Sequence, residues 1–427
     1  MKVLIIGSGG REHALAWKLA AEPAVSEVVC APGNPGIARV ARLAAVGVTD
    51  LDALVALASA ERADLTVVGP ELPLDLGVVD RFRAHGLRVF GPSRAAAALE
   101  CSKVFAKTFM SRHGIPTARY RVCADAASAH AEIARPELSF PVVVKADGLA
   151  AGKGVVIAPD RLTADAAIRS AMEDRQFGDA GARLVLEECL SGPEVSFFAI
   201  CDGTCAVPLA SAQDHKRAFD GDRGPNTGGM GAFAPSPLVD AALQSRIMEE
   251  IVNPVVSGMR AEGHEYRGFL YAGLMLTGDG PKVIEFNVRF GDPEAQVVVP
   301  MIAGDLAPQL AAAADGALPS TPLSFRAEKY VGVVIASEGY PGASPTGLPI
   351  TGLEKAEALE DTLLFHAGTR LENGGVVTSG GRVLTVVGRA PTFDAARQRA
   401  YDGVRAIAFD GMQYRRDIGQ KALNGLP

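Results

Sequence analysis

Glu285, Asn287 and Arg289 alternate along the run Ile284-Glu285-Phe286-Asn287-Val288-Arg289, and their types suit phosphoryl chemistry. A strand period of two puts these three on one face and Ile284, Phe286 and Val288 on the other. A carboxylate beside an amide oxygen suits a hard cation such as Mg²⁺, which normally keeps waters and substrate phosphates as its other ligands. An arginine beside them suits the charge that builds as a phosphoryl group is transferred. The bland reading is a half-exposed strand carrying an ion pair, and it leaves the polar continuation Gly291-Asp292-Pro293-Glu294 unexplained.

Two further runs offer groups for a nucleotide. FPVVVKADGLAAGKGVVIA sets a glycine-rich turn, Asp147 to Gly154, between two strand-like segments. Its spacing and its strand-to-strand context differ from the strand-to-helix phosphate loop, so it reads as a hairpin flap. Glycines there let the backbone approach a phosphate closely, and Lys145 and Lys153 bring cations toward it; a solvated turn is the minority alternative. The strand RLVLEECL runs out through Glu187, Glu188, Cys189 and Leu190 toward Glu194. An extended segment of this kind offers main-chain groups to an adenine edge and Glu194 to ribose hydroxyls, although by themselves these residues fit a solvated strand end better. The stretch Gln213 to Gly231, with Asp214, His215, Lys216, Arg217, Asn226 and Thr227, is too polar and glycine-rich for a core. It reads as a ligand loop or a mobile surface loop. His215 has no carboxylate or serine partner at triad spacing and receives no base role.

The elements that must carry these groups follow from the alternation of apolar runs. Residues 1 to about 95 repeat short strand patterns (KVLIIG, EVVCAPG, DLTVVGP, LRVFGP) with helical ones, the texture of a doubly wound parallel sheet with ligands at the carboxyl ends of its strands. Those ends read GSGG, APGN, GPE and GPS. Gly7-Ser8-Gly9-Gly10-Arg11-Glu12 opens a helix and could receive a phosphate. Glu12 stands where a dinucleotide fingerprint has its third glycine, and strand two ends in Ala31-Pro32-Gly33 without the acidic residue a nicotinamide ribose needs, so a phosphate or sugar phosphate fits better than NAD. A glycine turn required by chain geometry alone is the simpler alternative. Further helices are expected over Lys103 to His113, Thr163 to Met172, Leu243 to Met259 and Phe393 to Phe409, and strands over VSFFAIC, FLYAGLML, PKVIEFNVRF, YVGVVIAS, LLFHAGT and RVLTVVG. The boundaries that result are 1–122, 123–193, 194–327 and 328–427.

Composition bounds the rest. A chain of 427 residues with 48% hydrophobic and 21% charged positions has the texture of a multi-domain globular enzyme. Its 42 basic and 49 acidic residues give a net charge of -7, no footprint for a nucleic-acid backbone or an anionic membrane. The apolar run Val3 to Ile6 is too short for a signal or spanning segment, so a cytoplasmic location is expected. Cys30, Cys101, Cys123, Cys189, Cys201 and Cys205 show no zinc or redox spacing and read as buried free thiols, with Cys201 and Cys205 as cross-strand neighbours about an Asp202-Gly203 turn.

The motifs GSGGREHA, APGNPG, VVGPE, VVKADGLAAGKGV, AQDHKRAFD, GPNTGGMGA, FLYAGLM, IEFNVRFGDPE, FHAGT and TSGGRVL, in this order from Met1 to about Gly419, resemble the phosphoribosylamine–glycine ligase (glycinamide ribonucleotide synthetase) family of the ATP-grasp superfamily. The resemblance implies an α/β multi-domain ATP-grasp architecture: an N-terminal doubly wound parallel-sheet domain (1–122), a small lobe with the flap (123–193), a central lobe with the metal site (194–327) and a small C-terminal α/β domain (328–427). It implies attack of the glycine carboxylate on the γ-phosphate of ATP, with Mg²⁺ or Mn²⁺, and capture of the glycyl phosphate by 5-phosphoribosylamine in purine biosynthesis. By the same resemblance Lys145 and Lys153 hold phosphates, Glu187 to Leu190 the adenine, Glu194 the ribose, and Arg217 and Asn226 reach ATP. Glu285 and Asn287 hold metal, Arg289 the developing acyl phosphate, Asp292 a substrate amine, Asp214 glycine, and Gly9, Gly10 and Glu71 phosphoribosylamine. Gly273 stands where many ATP-grasp relatives have a further metal carboxylate, leaving the number of protein-held ions open. The expected partners are these small molecules, with no nucleic acid, no membrane, and a monomeric chain. The rivals are another ATP-grasp carboxylate–amine ligase or carboxylase, an oxidoreductase using the first domain, and a nucleotide sensor without turnover.

Overall fold

The computed structural model describes residues 1–136, 138–148, 154–319, 321 and 323–423. The apolar runs at the N-terminus form strands β1 (Lys2–Gly7), β2 (Glu27–Pro32), β3 (Arg42–Leu43), β4 (Leu65–Val68) and β5 (Val89–Phe90). They pair in parallel in the order β3-β2-β1-β4-β5. Val3 to Ile6 are fully buried because helices cover both faces, as parallel strands require. Those helices are α1 (Gly10–Ala20), α2 (Leu51–Glu61), α3 (Glu71–Asp75) and α4 (Val78–Ala84). The one helix expected from Leu76 to His85 is α4, which starts only at Val78, and Gly77 at φ +86° separates it from the short α3 that precedes it. Next come α5 (Arg94–Cys101) and α6 (Lys103–Arg112), each capped by a serine side chain, Ser93 accepting from Ala96 N and Ser102 from Phe105 N.

The small lobe comprises β6 (Tyr120–Cys123), α7 (Ala126–Ile133), β7 (Val142–Ala146), β8 (Val155–Ala158), α8 (Arg161–Ile168) and β9 (Leu184–Glu188), with sheet order β6-β9-β7-β8. The flap is the β7–β8 connection: Lys145 pairs with Val155 and Ala146 N donates to Gly154 O at 2.8 Å. Lys153 and the rest of 149–153 lie outside the described residues. This lobe has its own core, Val142, Val144, Leu184 and Leu186 against Ala129, Ile133, Ala164 and Ile168.

The central unit begins with β10 (Glu194–Asp202) and β11 (Ala206–Pro208) and continues through β12 (Gln213–Asp214), β13 (Arg217–Phe219), β14 (Arg223–Asn226) and β15 (Gly231–Ala234). Helices α9 (Ala241–Ile247) and α10 (Asn253–Ala261), joined by a wider turn at Met248–Val252, lead to β16 (Arg267–Thr277), β17 (Gly280–Asn287), α11 (Glu294–Val298) and α12 (Ala307–Asp315). One sheet runs β11-β10-β16-β17. The turn after Asp202 is present, with Asp202 Oδ1 accepting from Thr204 N and Cys205 N. The register corrects the cysteine reading: Cys201 faces Ala206, while Cys205 sits exposed in the turn.

The C-terminal strands are β18 (Lys329–Ser337), β19 (Thr362–His366), β20 (Thr369–Glu372), β21 (Gly375–Thr378), β22 (Arg382–Ala390) and β23 (Met412–Gln413), with helices α13 (Leu353–Glu357) and α14 (Phe393–Ala406). Their sheet, β12-β15-β18-β22-β19 with β23 on β18, takes in two strands from before residue 327, so hydrogen-bonded strands cross the sequence boundary at 327/328. One buried cluster joins Val3 and Ile5 to Phe198, Phe290, Tyr330, Phe365 and Val387. The N-terminal, central and C-terminal units therefore share a core. Among the described residues no helix is long and apolar enough to cross a membrane.

Candidate active site

A cavity of about 760 Å³ opens where the carboxyl end of β4, helix α6, strands β7, β9 and β17, and the loops after β14 and β18 converge. Three lysines gather at one end. Lys103 and Lys107 lie four apart on one face of α6, and Lys145 comes from β7. Lys107 Nζ stands 2.8 Å from Glu187 Oε2, and Lys145 Nζ donates to Glu187 at 3.0 Å and to Ile284 O at 3.0 Å. Lys103 Nζ donates to Gly148 O at 2.8 Å, tying α6 to the described base of the flap. Burial pushes Lys107 down to about 8, against the pull of Glu187, and pushes Lys103 down as well. Three cations thus share one carboxylate, two carbonyls and the Thr117 hydroxyl, an excess of positive charge suited to a polyanion.

Strand β17 forms an adjoining wall, and a bulge there revises the strand-period reading. Gly273 pairs with Glu285 but Leu274 pairs with Val283, so Ile284 is an extra residue in the ladder. Ile284 therefore lines the cavity together with Glu285, Asn287 and Arg289 instead of facing away. Phe286, though buried, also touches the cavity, and Val288 keeps to the buried side. Arg289 lies two residues past the end of β17. It is held by Glu100 Oε1 (2.8 Å from Nη2), Glu71 Oε2 (3.2 Å from Nε) and Phe290 O (3.1 Å from Nη1). Glu100 also accepts from Val288 N at 2.7 Å. Burial raises the Glu100 carboxyl, with Arg289 opposing; the two carboxylates hold Arg289 firmly charged in spite of its burial.

The donor set fits a hard divalent cation. Glu285 has no hydrogen-bond partner among the described residues, and although burial works against its charge, Lys216, Lys145, Lys103 and Arg289 hold its carboxyl below the ordinary value. Asn287 satisfies its surroundings with its nitrogen donating to Phe286 O and Glu100 Oε1, which turns its oxygen the other way. Gly273, directly across from Glu285, supplies no ligand; a Cβ there would come 3.3 Å from Glu285 Cγ. Among the described residues no group of three or more His, Cys, Asp or Glu side chains could hold a metal, so substrate oxygens and waters would have to complete the shell.

Acidic groups dominate the opposite end. Asp214, at the end of β12, and Glu294, at the start of α11, lie near Lys216, whose Nζ stands 2.6 Å from Glu194. Burial pushes Asp214 up to about 7, with Glu294, Glu194 and Glu285 adding to the shift and Lys216 opposing it. Burial also raises Glu294, whose Oε1 accepts from Ser196 Oγ at 3.1 Å. Asp292 differs: Arg382, Arg11 and a 2.9 Å hydrogen bond from Gln296 outweigh burial and hold it below the ordinary value.

Asp292 and Arg382 also line a second cavity, of about 460 Å³, with Ser8, Gly9, Gly33 and Asn34 from the N-terminal sheet and Gly368, Thr369 and Ser379 from the C-terminal one. The glycine turn that opens it is partly filled from within. Glu12 Oε2 accepts from Gly9 N at 2.5 Å and Glu12 Oε1 from Arg11 Nε at 2.6 Å, a carboxylate closing the positive end of α1. A Cβ at Gly7 or Gly69 would lie within 2.5 Å of the Glu12 side chain, which explains both glycines. Gly10 is buried against the Gln296 amide.

Of the residues singled out in the sequence, Lys145, Glu187, Asp214, Glu285, Asn287, Arg289, Asp292 and Glu71 line the large cavity and Gly9 the small one. Glu188, Cys189, Leu190, Glu194, Arg217, Asn226 and Gly10 do not line the large one. Glu188 binds Arg119 through its side chain, and Cys189 and Leu190 lie beyond the last ladder pair of β9 with β7. Arg217 Nη1 donates to Gly224 O, and Arg217 pairs with Asn226 in the β13–β14 hairpin. Sequence reasoning missed Glu100, Lys103, Lys107, Tyr340 and Arg382 and gave Lys216, Thr227 and Glu294 no role. Only the pair Lys103 and Lys107 carried a signal, their spacing of four on an expected helix.

Residues 1–100, 101–295 and 330–421 match the models for the N domain, the ATP-grasp (A) domain and the C domain of phosphoribosylglycinamide synthetase. The phosphoribosylamine–glycine ligase of Ralstonia nicotianae is 53% identical over 424 residues, covering 99% of this chain and 100% of that one. Its counterpart from Caulobacter vibrioides is 53% identical over 425 residues, covering 99% of each. The crystal structure of the phosphoribosylamine–glycine ligase of Thermotoga maritima superposes with a TM-score of 0.85 at 36% identity, covering 98% of this chain and 100% of that one.

Proposed function

The chain belongs to the phosphoribosylglycinamide synthetase family, and from that premise we propose that its large cavity joins glycine to 5-phosphoribosylamine at the expense of ATP, yielding glycinamide ribonucleotide, ADP and phosphate for purine biosynthesis. The observation that supports this division of one cavity is its opposed electrostatics: Glu285, Asn287 and Arg289 are flanked by the cationic cluster Lys103, Lys107 and Lys145 and by the acidic pair Asp214 and Glu294. The triphosphate of ATP takes the lysine end, with Lys153 of the flap as a further cation. Adenine takes the segment Glu187 to Leu190, the ribose Glu194, and Arg217 and Asn226 approach the nucleotide from the loop. Glycine takes the acidic end, its ammonium on Asp214 or Asp292. The phosphoribosyl group enters the smaller cavity beside Gly9 and Gly10, within reach of Glu71, with Arg382 the cationic side chain in its wall.

A glycine carboxylate oxygen attacks the γ-phosphorus as the bond to the ADP oxygen breaks, giving glycyl phosphate. Arg289, fixed between Glu71 and Glu100, needs no reorganisation to meet the charge that gathers on the transferring phosphoryl oxygens. The amine of phosphoribosylamine then attacks the glycyl carbonyl, phosphate departs, and the amine's proton leaves to a carboxylate of the acidic end or to water. Glu285 and the Asn287 oxygen would hold Mg²⁺ or Mn²⁺, which when bound neutralises phosphate charge. The enzyme acts as a cytoplasmic monomer on small molecules, and its mass in solution checks the oligomeric state.

ADP release measured with glycine and phosphoribosylamine, each omitted in turn, tests the reading. Release that requires glycine and becomes sustained only with both substrates is expected. Release that follows bicarbonate in place of glycine would make the enzyme a carboxylase, and nucleotide binding without release would make it a sensor.

A further inference from the structure

The loop joining β14 to β15 is held by side chains that reach it from the C-terminal sheet. Gly228 N donates to Tyr340 Oη at 2.9 Å, and Gly228 O accepts from Arg382 Nη1 at 2.6 Å. Both main-chain polar groups of one residue are thus bound from more than a hundred residues further along the chain. Arg382 Nη1 also donates to Asp292 O at 2.6 Å, so the same guanidinium ties this loop to the one after β17. The two loops touch closely: Gly229 has φ +113°, and a Cβ there would fall 2.4 Å from Pro293 Cδ.

From Gly228 the constraint passes inward. Thr227 donates to Lys216 O through its N–H at 2.8 Å and its hydroxyl at 2.9 Å, and the same hydroxyl accepts from Gly229 N at 2.9 Å. Lys216 follows Asp214 by two residues, and both side chains line the large cavity. The phenol itself is braced. Its ring lies over Gly381, where a Cβ would come 2.3 Å from Tyr340 Cδ2, and Tyr340 O accepts from Gln413 Nε2 at 3.1 Å. Gly381 belongs to the run TSGGRVL, and the space it leaves is filled by Tyr340.

We propose that Tyr340 is a positioning residue for the glycine end of the cavity: its hydroxyl fixes Gly228 and, through Thr227, the backbone that sets Lys216 and Asp214. This rests on the assignment of glycine to that end. The lysine end owes nothing to the loop, since Lys103, Lys107 and Lys145 stand on α6 and β7 and bond to Glu187, Ile284 and Gly148.

The test compares the full-length wild type with Tyr340→Phe, which keeps the ring and removes one hydrogen bond, and with Gly381→Ala, which keeps the hydroxyl and displaces the ring. Steady-state kinetics with ATP, glycine and phosphoribosylamine are measured beside hydrogen exchange over residues 224–233 and the melting temperature. Tyr340→Phe should lower kcat/KM for glycine about 5-fold, the size of one lost hydrogen bond, while KM for ATP stays within about 2-fold. Exchange over 224–233 should quicken and melting stay near the wild-type value, with Gly381→Ala giving the same pattern. Glycine kinetics and exchange equal to wild type in Tyr340→Phe would overturn the proposal. So would a parallel rise of both KM values with early melting, the mark of general loosening. A wild type without glycine-dependent ADP release would sink the functional reading instead, and the exchange measurement would still show whether Tyr340 clamps the loop.

Discussion

The two ends of the cavity are built on opposite plans. At the lysine end the charged groups stand on regular elements, α6, β7 and β9, and each cation has a partner already in place: Glu187 for Lys107 and Lys145, Gly148 O for Lys103. At the acidic end the charges stand at the edges of loops, strands and a helix, and burial, with neighbouring carboxylates adding to it, pushes Asp214 up to about 7. The difference shows where the sequence had to specify the site. The lysine end needs only helix and strand formation, whereas the acidic end needs contacts from the C-terminal sheet. Arg289 stands between these plans, its charge met by both Glu100 and Glu71, and changes there should have the largest effect.

Arg289→Lys is expected to lower kcat and kcat/KM for ATP together by on the order of 10²-fold, roughly 3 kcal/mol of transition-state stabilisation. Lysine keeps the charge but cannot bridge Glu100 and Glu71 with a planar fork. A variant whose only defect is a raised KM for ATP would move Arg289 from the phosphoryl-transfer step to ground-state binding.

A smaller and one-sided effect is expected from Lys145→Met. It removes one of the two cations on Glu187 and the donor to Ile284 O. KM for ATP should rise about 10-fold, in line with the loss of a charge-assisted contact, while KM for glycine moves by less than about 2-fold. Equal rises in both would mean that the two ends are not independent, and the contrast between them would fail.

Much of the fold was legible because one local rule decided each piece. The parallel sheet followed from apolar runs alternating with helical ones, and the flap from a glycine turn between two strands. The β20–β21 hairpin was missed although its turn, Asn373-Gly374, carries the strongest short-range hairpin signal, with φ of +50° and +81°. The joining of β12 and β15 to the C-terminal strands could not be read, because pairing between distant segments leaves no local pattern. The site divides in the same way. Glu285, Asn287 and Arg289 were visible through strand alternation, though the bulge at Ile284 was not, since the ladder's partner strand decides where an extra residue goes. Glu100 and Tyr340 matter only through what they touch, at Arg289 and at Gly228, and nothing beside them in the chain marks either contact. Glu12 was noticed as a departure from a dinucleotide fingerprint, but its role as an internal cap needed Gly7 and Gly69 to be seen beside it.

An effect of about the same size as that of Lys145→Met is a pH dependence centred on the acidic end. If Asp214 receives the glycine ammonium, only its ionised form binds, and kcat/KM for glycine reports ionisation in the free enzyme. With its carboxyl pushed up to about 7, the ionised fraction rises from about a tenth at pH 6 to about nine tenths at pH 8, so kcat/KM should climb about 10-fold over that range. The effect on stability has the opposite sign. A carboxyl raised in the folded state above its ordinary 3.8 contributes stability that is fully present below that value and is lost as the pH rises through about 7. Raising the pH from 6 to 8 should therefore increase glycine use while lowering the melting temperature. Asp214→Asn should be slow with glycine at every pH, lose the rise, and melt higher than wild type at pH 8. KM for ATP should rise by no more than about 2-fold by pH 8, where Lys107, pushed down to about 8, has lost about half its charge, and it should do so alike in both proteins because the lysine end does not depend on the ionisation of Asp214. A glycine profile level between pH 6 and 8, or one that persists in Asp214→Asn, would take the ammonium away from Asp214 and leave Asp292, already held in its charged form by Arg382 and Arg11, as the group that receives it.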